Sequence, residues 1–340
     1  MDALQFVPIL VVGFATSLGL TPLSRAIALR LGVVDKPNQR KIHLDNKPMM
    51  GGLAIYVGFA LALILFSPPQ YVVEFGALLS GATFLALVGL VDDRYTLGIK
   101  TKMVAEIIAT LVLIASGVHV QLFNIPVIDA LITIIWVVAL TNAVNFLDNM
   151  DGLAAGLSAI AGGFFTLIAF TEGLSLVSAL AAALTGSAVG FLIYNFNPAS
   201  SFMGDMGALV LGFVLATLGI KLEFAARPLS VTWMVPLLVL ALPIFDICLV
   251  VFTRIIEGRS PGQAGKDHTS HRLLSLGLSQ RWTLFVLYGA CLFFGTLGFL
   301  VGSAPPDRAL LIGLGGLALL AVLFLFMMYV RRKYQLAASR

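Results

Sequence analysis

The chain has 340 residues, of which 59% are hydrophobic and 11% charged, with a mean hydropathy of +1.00 and a formal net charge of +4. A soluble domain carries about 25% charged residues, so an ordinary soluble enzyme is excluded, and no linker or low-complexity tract marks off a separate soluble domain. The 21 Lys and Arg are scattered over short loops, which excludes a nucleic-acid surface, and residues 1–340 are read as a single integral-membrane domain.

Taken in chain order, the apolar stretches fall at 3–24, 50–66, 74–91, 102–117, 128–144, 154–171, 174–194, 206–222, 229–253, 282–301 and 308–330. At about 20 residues per crossing these make about eleven transmembrane helices. Every backbone group in hydrocarbon must be satisfied internally, so the expected class is an all-α polytopic membrane protein. Gly, Pro and polar residues gather at the breaks, as in Thr171-Glu172-Gly173 and Pro305-Pro306. Val118–Ile125 alternates apolar and polar residues and is read as a short strand or hairpin outside the bilayer. Met1-Asp2-Ala3 lacks a basic leader region, so the first span is read as an uncleaved helix. With the N-terminus outside and the C-terminus cytoplasmic, 18 of the 21 basic residues fall on the cytoplasmic side, as the positive-inside rule requires. Cys248 and Cys291 both lie within predicted helices and are read as small buried hydrophobes rather than zinc ligands or a disulfide.

The polar residues are grouped into four islands, all on the cytoplasmic face in this topology. They are Asp92-Asp93, the run from Asn142 to Gly152, the run from Asn195 to Asp205, and Lys266 to Arg272. Ionisable groups beside a bilayer are costly and are functional candidates by default. Together the islands supply Asp92, Asp93, Asp148, Asp151, Asp205 and Asp267, several carboxamides, and His268 and His271. Carboxylate and carboxamide oxygens suit a hard cation such as Mg²⁺, which bridges to substrate phosphates. Adjacent helical residues point about 100° apart, so Asp92 and Asp93 are expected to have distinct roles. Asn142, Asn145, Asp148 and Asp151 recur every third residue and line up only in a 3₁₀ turn or at a broken helix end. Phe202-Met-Gly-Asp205 precedes a span, whose first free N–H groups are expected to face a phosphate or metal complex. His268 and His271, beside Lys266 and Arg272, suit a diphosphate. Glu106 and Asp246, inside spans, are read as acceptors of hydrogen bonds from neighbouring helices. His119 is read as a surface residue and the Phe324-Leu-Phe326 run as lipid-facing or packing surface.

These motifs resemble the polyprenyl-phosphate N-acetylhexosamine-1-phosphate transferase family. They are Arg40-Lys-Ile-His43 to Gly52, Leu90-Val-Asp92-Asp93, Asn142 to Gly152, Asn195 to Gly207 and Asp267 to Leu273. The family often carries three clustered His where this chain has His268-Thr-Ser-His271, which favours the GlcNAc-type subgroup over the phospho-MurNAc-pentapeptide type. The resemblance implies transfer of a sugar-1-phosphate, GlcNAc-1-phosphate in this subgroup, from a UDP-sugar to a polyprenyl phosphate such as undecaprenyl phosphate. The products are UMP and a sugar–diphospho–polyprenol, at the start of cell-envelope polysaccharide synthesis. It implies a multi-pass protein of a bacterial cytoplasmic membrane, and Mg²⁺ with Mn²⁺ as a substitute; the oligomeric state, a homodimer included, stays open. In residue terms it implies Asn145 and Asp205 as metal ligands, and Asp92 or Asp93 as the group that deprotonates or orients the lipid phosphate. Asp148 and Asp151 fall on the nucleotide side, with Asn142 and Asn149 as further substrate contacts and Phe202 stacked on uracil. Lys266, His268, His271 and Arg272 would bind the diphosphate. Direct attack and a covalent phospho-sugar on an Asp both remain open. The rival class, a transporter, would place its site near the midplane, which here is nearly charge-free.

Overall fold

A computed structural model describes residues 5–35, 47–66, 69–225, 227–262 and 265–335. The Arg40-to-His43 part of the first motif lies outside them. The described residues form two compact units, 1–222 and 223–340.

The first unit contains α1 (Val7–Leu31), α2 (Gly51–Phe66), α3 (Val72–Tyr95), α4 (Ile99–Ala115), α5 (Pro126–Leu147), α6 (Leu153–Thr171), α7 (Ser175–Asn195) and α8 (Gly204–Lys221). A two-residue antiparallel pair, β1 (Val34–Asp35) with β2 (Lys47–Pro48), sits between α1 and α2. Prolines open α1 and α5, where a missing N–H costs nothing. Gly32 ends α1 in the left-handed conformation, its N–H returned to the Ala28 carbonyl. The centre of the unit is α8, packed against α2, α3, α5, α6 and α7 and buried over most of its length. Small residues permit this approach, and buried hydroxyls such as Thr21, Thr110, Ser187 and Thr217 bond back into their own helices. Trp136 on α5 donates to the Ala216 carbonyl of α8 at 3.0 Å.

The second unit contains the short helices α9 (Leu229–Thr232) and α10 (Met234–Val239), then α11 (Ala241–Ile256), α12 (Thr269–Ser275), α13 (Gln280–Ser303) and α14 (Pro306–Val330). Here α13 packs on α10, α11, α12 and α14. Phe324 meets Phe245 and Phe252 edge to face, while Leu325 and Phe326 are exposed, so the Phe-rich run serves both packing and an outer apolar surface.

The protein is all-α and polytopic, with eight described helices long and apolar enough to cross a membrane. Three expectations are corrected. The stretch read as one span over 229–253 is broken, with a 77° bend between Leu229–Val239 and Ala241–Ile256. Val118–Ile125 is a loop, because its N–H groups find side-chain acceptors instead of a partner strand. Val120 donates to Thr133 Oγ1 at 2.9 Å, and Leu122 and Phe123 donate to Asp129 Oδ1 at 3.1 and 3.0 Å. Cys291 is buried as expected but Cys248 is exposed, on an outer helix face where an apolar thiol needs no partner.

Candidate active site

The acidic motifs of the first unit converge where α3 and α5 end and where α4 and α8 begin. Asp92 and Asp93 sit in the last turn of α3, and the helical offset sends them to different partners. The Lys102 ammonium, in the first turn of α4, donates to Asp92 Oδ2 at 2.8 Å and to Asp205 Oδ2 at 2.7 Å. The other oxygen of Asp92 accepts the Leu97 N–H. Asp93 instead accepts from the N–H groups of Asp205 at 2.8 Å and Met206 at 3.3 Å. The expectation that free N–H groups at the start of α8 face a ligand is thereby corrected. Asp93 satisfies two of them, because a carboxylate at a helix N-terminus matches both the donors and the dipole. Gly204 makes this turn at φ +72°, and a Cβ there would strike the Asp93 carboxylate and the Met49 carbonyl.

The Asn142-to-Gly152 run is a broken helix end. Asn142 and Asn145 lie in the last turns of α5, Asp148 follows its final residue, and Gly152 starts α6 at φ +76°. Asp148 is half-buried. Burial first, and then the negative charges of Asp205, Asp151 and Asp35, push its carboxyl up to about 7. Asp151 stitches this turn to the next motif. Its Oδ2 accepts from Asn197 Nδ2 at 3.1 Å and from the Ala199 N–H at 2.9 Å. Asn195 completes the seam, accepting the Gly152 N–H at 3.0 Å and donating to the Ser201 carbonyl at 3.0 Å. Asn149 donates to the Phe146 carbonyl at 2.6 Å. Asn142 spends its amide on Glu106 Oε2 at 2.5 Å and on the Val138 carbonyl. Glu106 thus accepts a bond from a neighbouring helix as expected. Asn142 props α5 against α4 rather than offering its NH₂ to a substrate. Phe202 is half-buried, and its backbone pairs with Pro48 and Gly51.

Lys102 is the residue that reading by motif missed. Its signal was a single Lys four residues before Glu106, at the mouth of a span, facing a set of acids with few cations. The donor chemistry fits the Mg²⁺ that the resemblance implies. The oxygens that these motifs offer belong to carboxylates and carboxamides, acids outnumber cations, and the Lys102 ammonium already bridges Asp92 and Asp205. No group of three or more His, Cys, Asp or Glu among the described residues forms a cage by itself, so substrate oxygens and waters would complete the coordination.

In the second unit, Asp267 is held by three arginines. Arg254 lies at 3.0 Å, Arg259 at 2.8 Å and Arg331 at 3.2 Å, and these charges hold its carboxyl down at about 2 against the opposing effect of burial. His268 is the N-cap of α12 and is buried, with Nδ1 2.8 Å from Asp246 Oδ2. Asp246 therefore serves the loop helix α12 rather than a neighbouring span. His271 lies one turn on, its ring 5.8 Å from that of His268. Burial first, and then the neighbouring His268 and Lys266, lowers its pKa to about 4. Lys266 is exposed. The expected diphosphate contact of Arg272 is corrected. Its side chain is fully buried and donates to the carbonyls of Asp267 at 2.9 Å and Met327 at 2.7 Å, and to Thr253 Oγ1 at 2.6 Å. A guanidinium with these partners anchors α12 and has no face turned to a ligand.

Comparison with known proteins reaches the same motifs. The family described as "Glycosyl transferase family 4" matches residues 75–223, from α3 to the end of α8. The "Probable undecaprenyl-phosphate N-acetylglucosaminyl 1-phosphate transferase" of Bacillus subtilis (strain 168) is 33% identical over 310 residues, covering 88% of this chain and 86% of that protein. The chain belongs to this transferase family. Another relative is the "Decaprenyl-phosphate N-acetylglucosaminephosphotransferase" of Mycobacterium tuberculosis (strain ATCC 25618 / H37Rv), 32% identical over 84% of this chain and 80% of its own. The "Undecaprenyl-phosphate alpha-N-acetylglucosaminyl 1-phosphate transferase" of Yersinia pestis is 24% identical over 84% and 81%. The family match contains Asp92, Asp93, Lys102, the Asn142-to-Gly152 run and Asp205, whereas the His268-to-Arg272 segment lies beyond it.

Proposed function

We infer that this transferase moves GlcNAc-1-phosphate from UDP-GlcNAc to a polyprenyl phosphate. An oxygen of the lipid phosphate attacks the sugar-bearing phosphorus, the bond from that phosphorus to the bridging oxygen breaks, and UMP leaves. The observation that carries this reading, beyond kinship, is the Lys102 bridge between Asp92 and Asp205. It places a cation among clustered acids, which suits a reaction between two anionic phosphates. Lys102 neutralises and orients the incoming lipid phosphate, with Asp92 beside it to accept or direct a proton. Asp93 holds the start of α8 so that Asp205 keeps its place. Asp205 and Asn145 would hold Mg²⁺, which supplies charge neutralisation at the phosphoryl oxygens when bound. Asp148 and Phe202 serve the nucleotide side.

The reading extends to topology. We take the eight long helices, the bent pair, α2 and α4 as eleven crossings in a bacterial cytoplasmic membrane. The N-terminus is then outside, and the acids lie on the face that holds 18 of the 21 basic residues. Purified protein given polyprenyl phosphate, Mg²⁺ and a panel of UDP-sugars should release UMP fastest from UDP-GlcNAc and stop on chelation. No UMP from any UDP-sugar, with the lipid present, would sink the reading.

A further inference from the structure

Glu106 belongs to none of the motifs that carry the family resemblance, yet it lies one helical turn from Lys102. It is 0% exposed, in the second turn of α4. Oε2 accepts from Asn142 Nδ2 at 2.5 Å, whereas Oε1 accepts no hydrogen bond from any described residue. An acid buried in a membrane helix with one oxygen unsatisfied is costly, and such a group is a functional candidate. Lys102 stands four residues earlier, so the two side chains share one face of α4. A helical side chain leans over the turn N-terminal to its own Cα, which for Glu106 is the turn that carries Lys102. Lys102 is also the cation whose charge acts on Glu106, with Asp205 the acid. Its ammonium is spent on Asp92 and Asp205, at the end of a flexible four-carbon stem. Three acids therefore surround one lysine, and the deepest of them has an oxygen to spare.

We propose that Glu106 is a positioning residue, a second seat that the Lys102 ammonium takes when a divalent cation arrives at Asp205. This rests on the reading that Asp205 is a ligand of that cation. An ammonium hydrogen-bonded to Asp205 repels a dication on the same carboxylate, because two like charges then sit within one side chain's width. Turning the stem toward Glu106 relieves the repulsion, gives Oε1 a donor and leaves Asp205 to the cation. Asn142 keeps the seat in place, since its bond to Oε2 fixes the carboxylate while leaving Oε1 open. An arriving lipid phosphate, itself an anion, draws the ammonium back up. One lysine then serves both the loading of the cation and the approach of the acceptor.

The probe is Mn²⁺, its free form counted by electron paramagnetic resonance over detergent-solubilised protein with no donor or acceptor added. Glu106→Gln is isosteric and its amide oxygen still accepts from Asn142, so the melting temperature should hold within a few degrees. It should weaken Mn²⁺ binding ~10-fold, and less than ~2-fold when made in a Lys102→Met background, where no ammonium needs the seat. Equal weakening in both backgrounds shows that Glu106 acts on the cation by its own charge, and overturns the proposal. Unchanged affinity in Glu106→Gln overturns it too. Asp205→Asn separates the two levels. Mn²⁺ affinity untouched by that substitution defeats the ligand role of Asp205 and the second seat with it. Affinity lost in Asp205→Asn but kept in Glu106→Gln defeats the second seat alone. If Glu106→Gln does not fold, infrared difference spectra with and without Mg²⁺ on ¹³C-glutamate-labelled protein decide. A glutamate carboxyl band that Mg²⁺ shifts in the unsubstituted protein but not in Lys102→Met is the expected result, and identical spectra from the two overturn the proposal.

Discussion

Replacing Lys102 with Met removes the ammonium that joins Asp92 to Asp205 while keeping much of the aliphatic stem. The two carboxylate oxygens it bridges are at most about 5.5 Å apart, the 2.8 and 2.7 Å contacts laid end to end. At that separation and an effective dielectric of about 20, two negative charges repel by roughly 3 kcal/mol. The side chains are 8% to 26% exposed, so solvent screens part of this but not most of it. Carried into the transition state, about 3 kcal/mol is roughly a 100-fold loss of turnover. Lys102→Arg keeps a cation and should retain several times more activity than Lys102→Met. The assay is UMP release at saturating UDP-GlcNAc and polyprenyl phosphate across a Mg²⁺ titration, beside thermal unfolding in the same detergent. Turnover of Lys102→Met within three-fold of the unsubstituted protein at every Mg²⁺ concentration would refute the bridging role.

Asp205→Asn, which removes a charged oxygen from the same bridge, should keep fold and membrane insertion while losing most activity, and a flat Mg²⁺ response near normal turnover would show that it is no ligand. Arg272→Met strands the Asp267 and Met327 carbonyls and should cost roughly 2–6 kcal/mol of stability, about 1–3 for each unpaired carbonyl, read by denaturation, with UDP-sugar affinity of the folded fraction little changed. His271 is held at about 4, below its ordinary value of 6.5, so the unfolded chain binds more protons between these values. The resulting stability is complete above about pH 6.5 and lost as pH falls through about 4. His271→Asn should flatten the melting temperature over that window. Phe202→Ala should weaken UDP-sugar binding by ~1–3 kcal/mol if uracil stacks on it. Asp92→Asn should depress turnover with donor affinity within a few-fold, and titration calorimetry checks both.

The acidic motifs were readable because hydrophobic membrane sequence makes every clustered charge conspicuous. Asp92-Asp93 and the carboxamide run were placed at the ends of their spans, where α3 and α5 do end. Lys102 was not readable as part of the site. A single basic residue at a helix mouth satisfies the positive-inside rule whether or not it meets an acid, and its partner Asp205 is 103 residues away. Arg272 misled for the complementary reason. A basic residue beside two His has the composition of an anion site, and only its burial reveals that carbonyls occupy its donors.

The amino-acid sequence by itself determined the solvent of this protein, its helical class and the cast of acidic and imidazole groups. Those follow from composition, span length and spacing, which are local properties of the chain. Tertiary structure alone decided partners. It gave Asp93 to the start of α8, Asp151 to the Asn195–Ser201 turn, Asn142 to Glu106 and Asp246 to His268. The physical reason is that a buried polar group takes whichever complementary atom packing brings within about 3 Å. Packing depends on how helices far apart in sequence lie against one another, which no local pattern records.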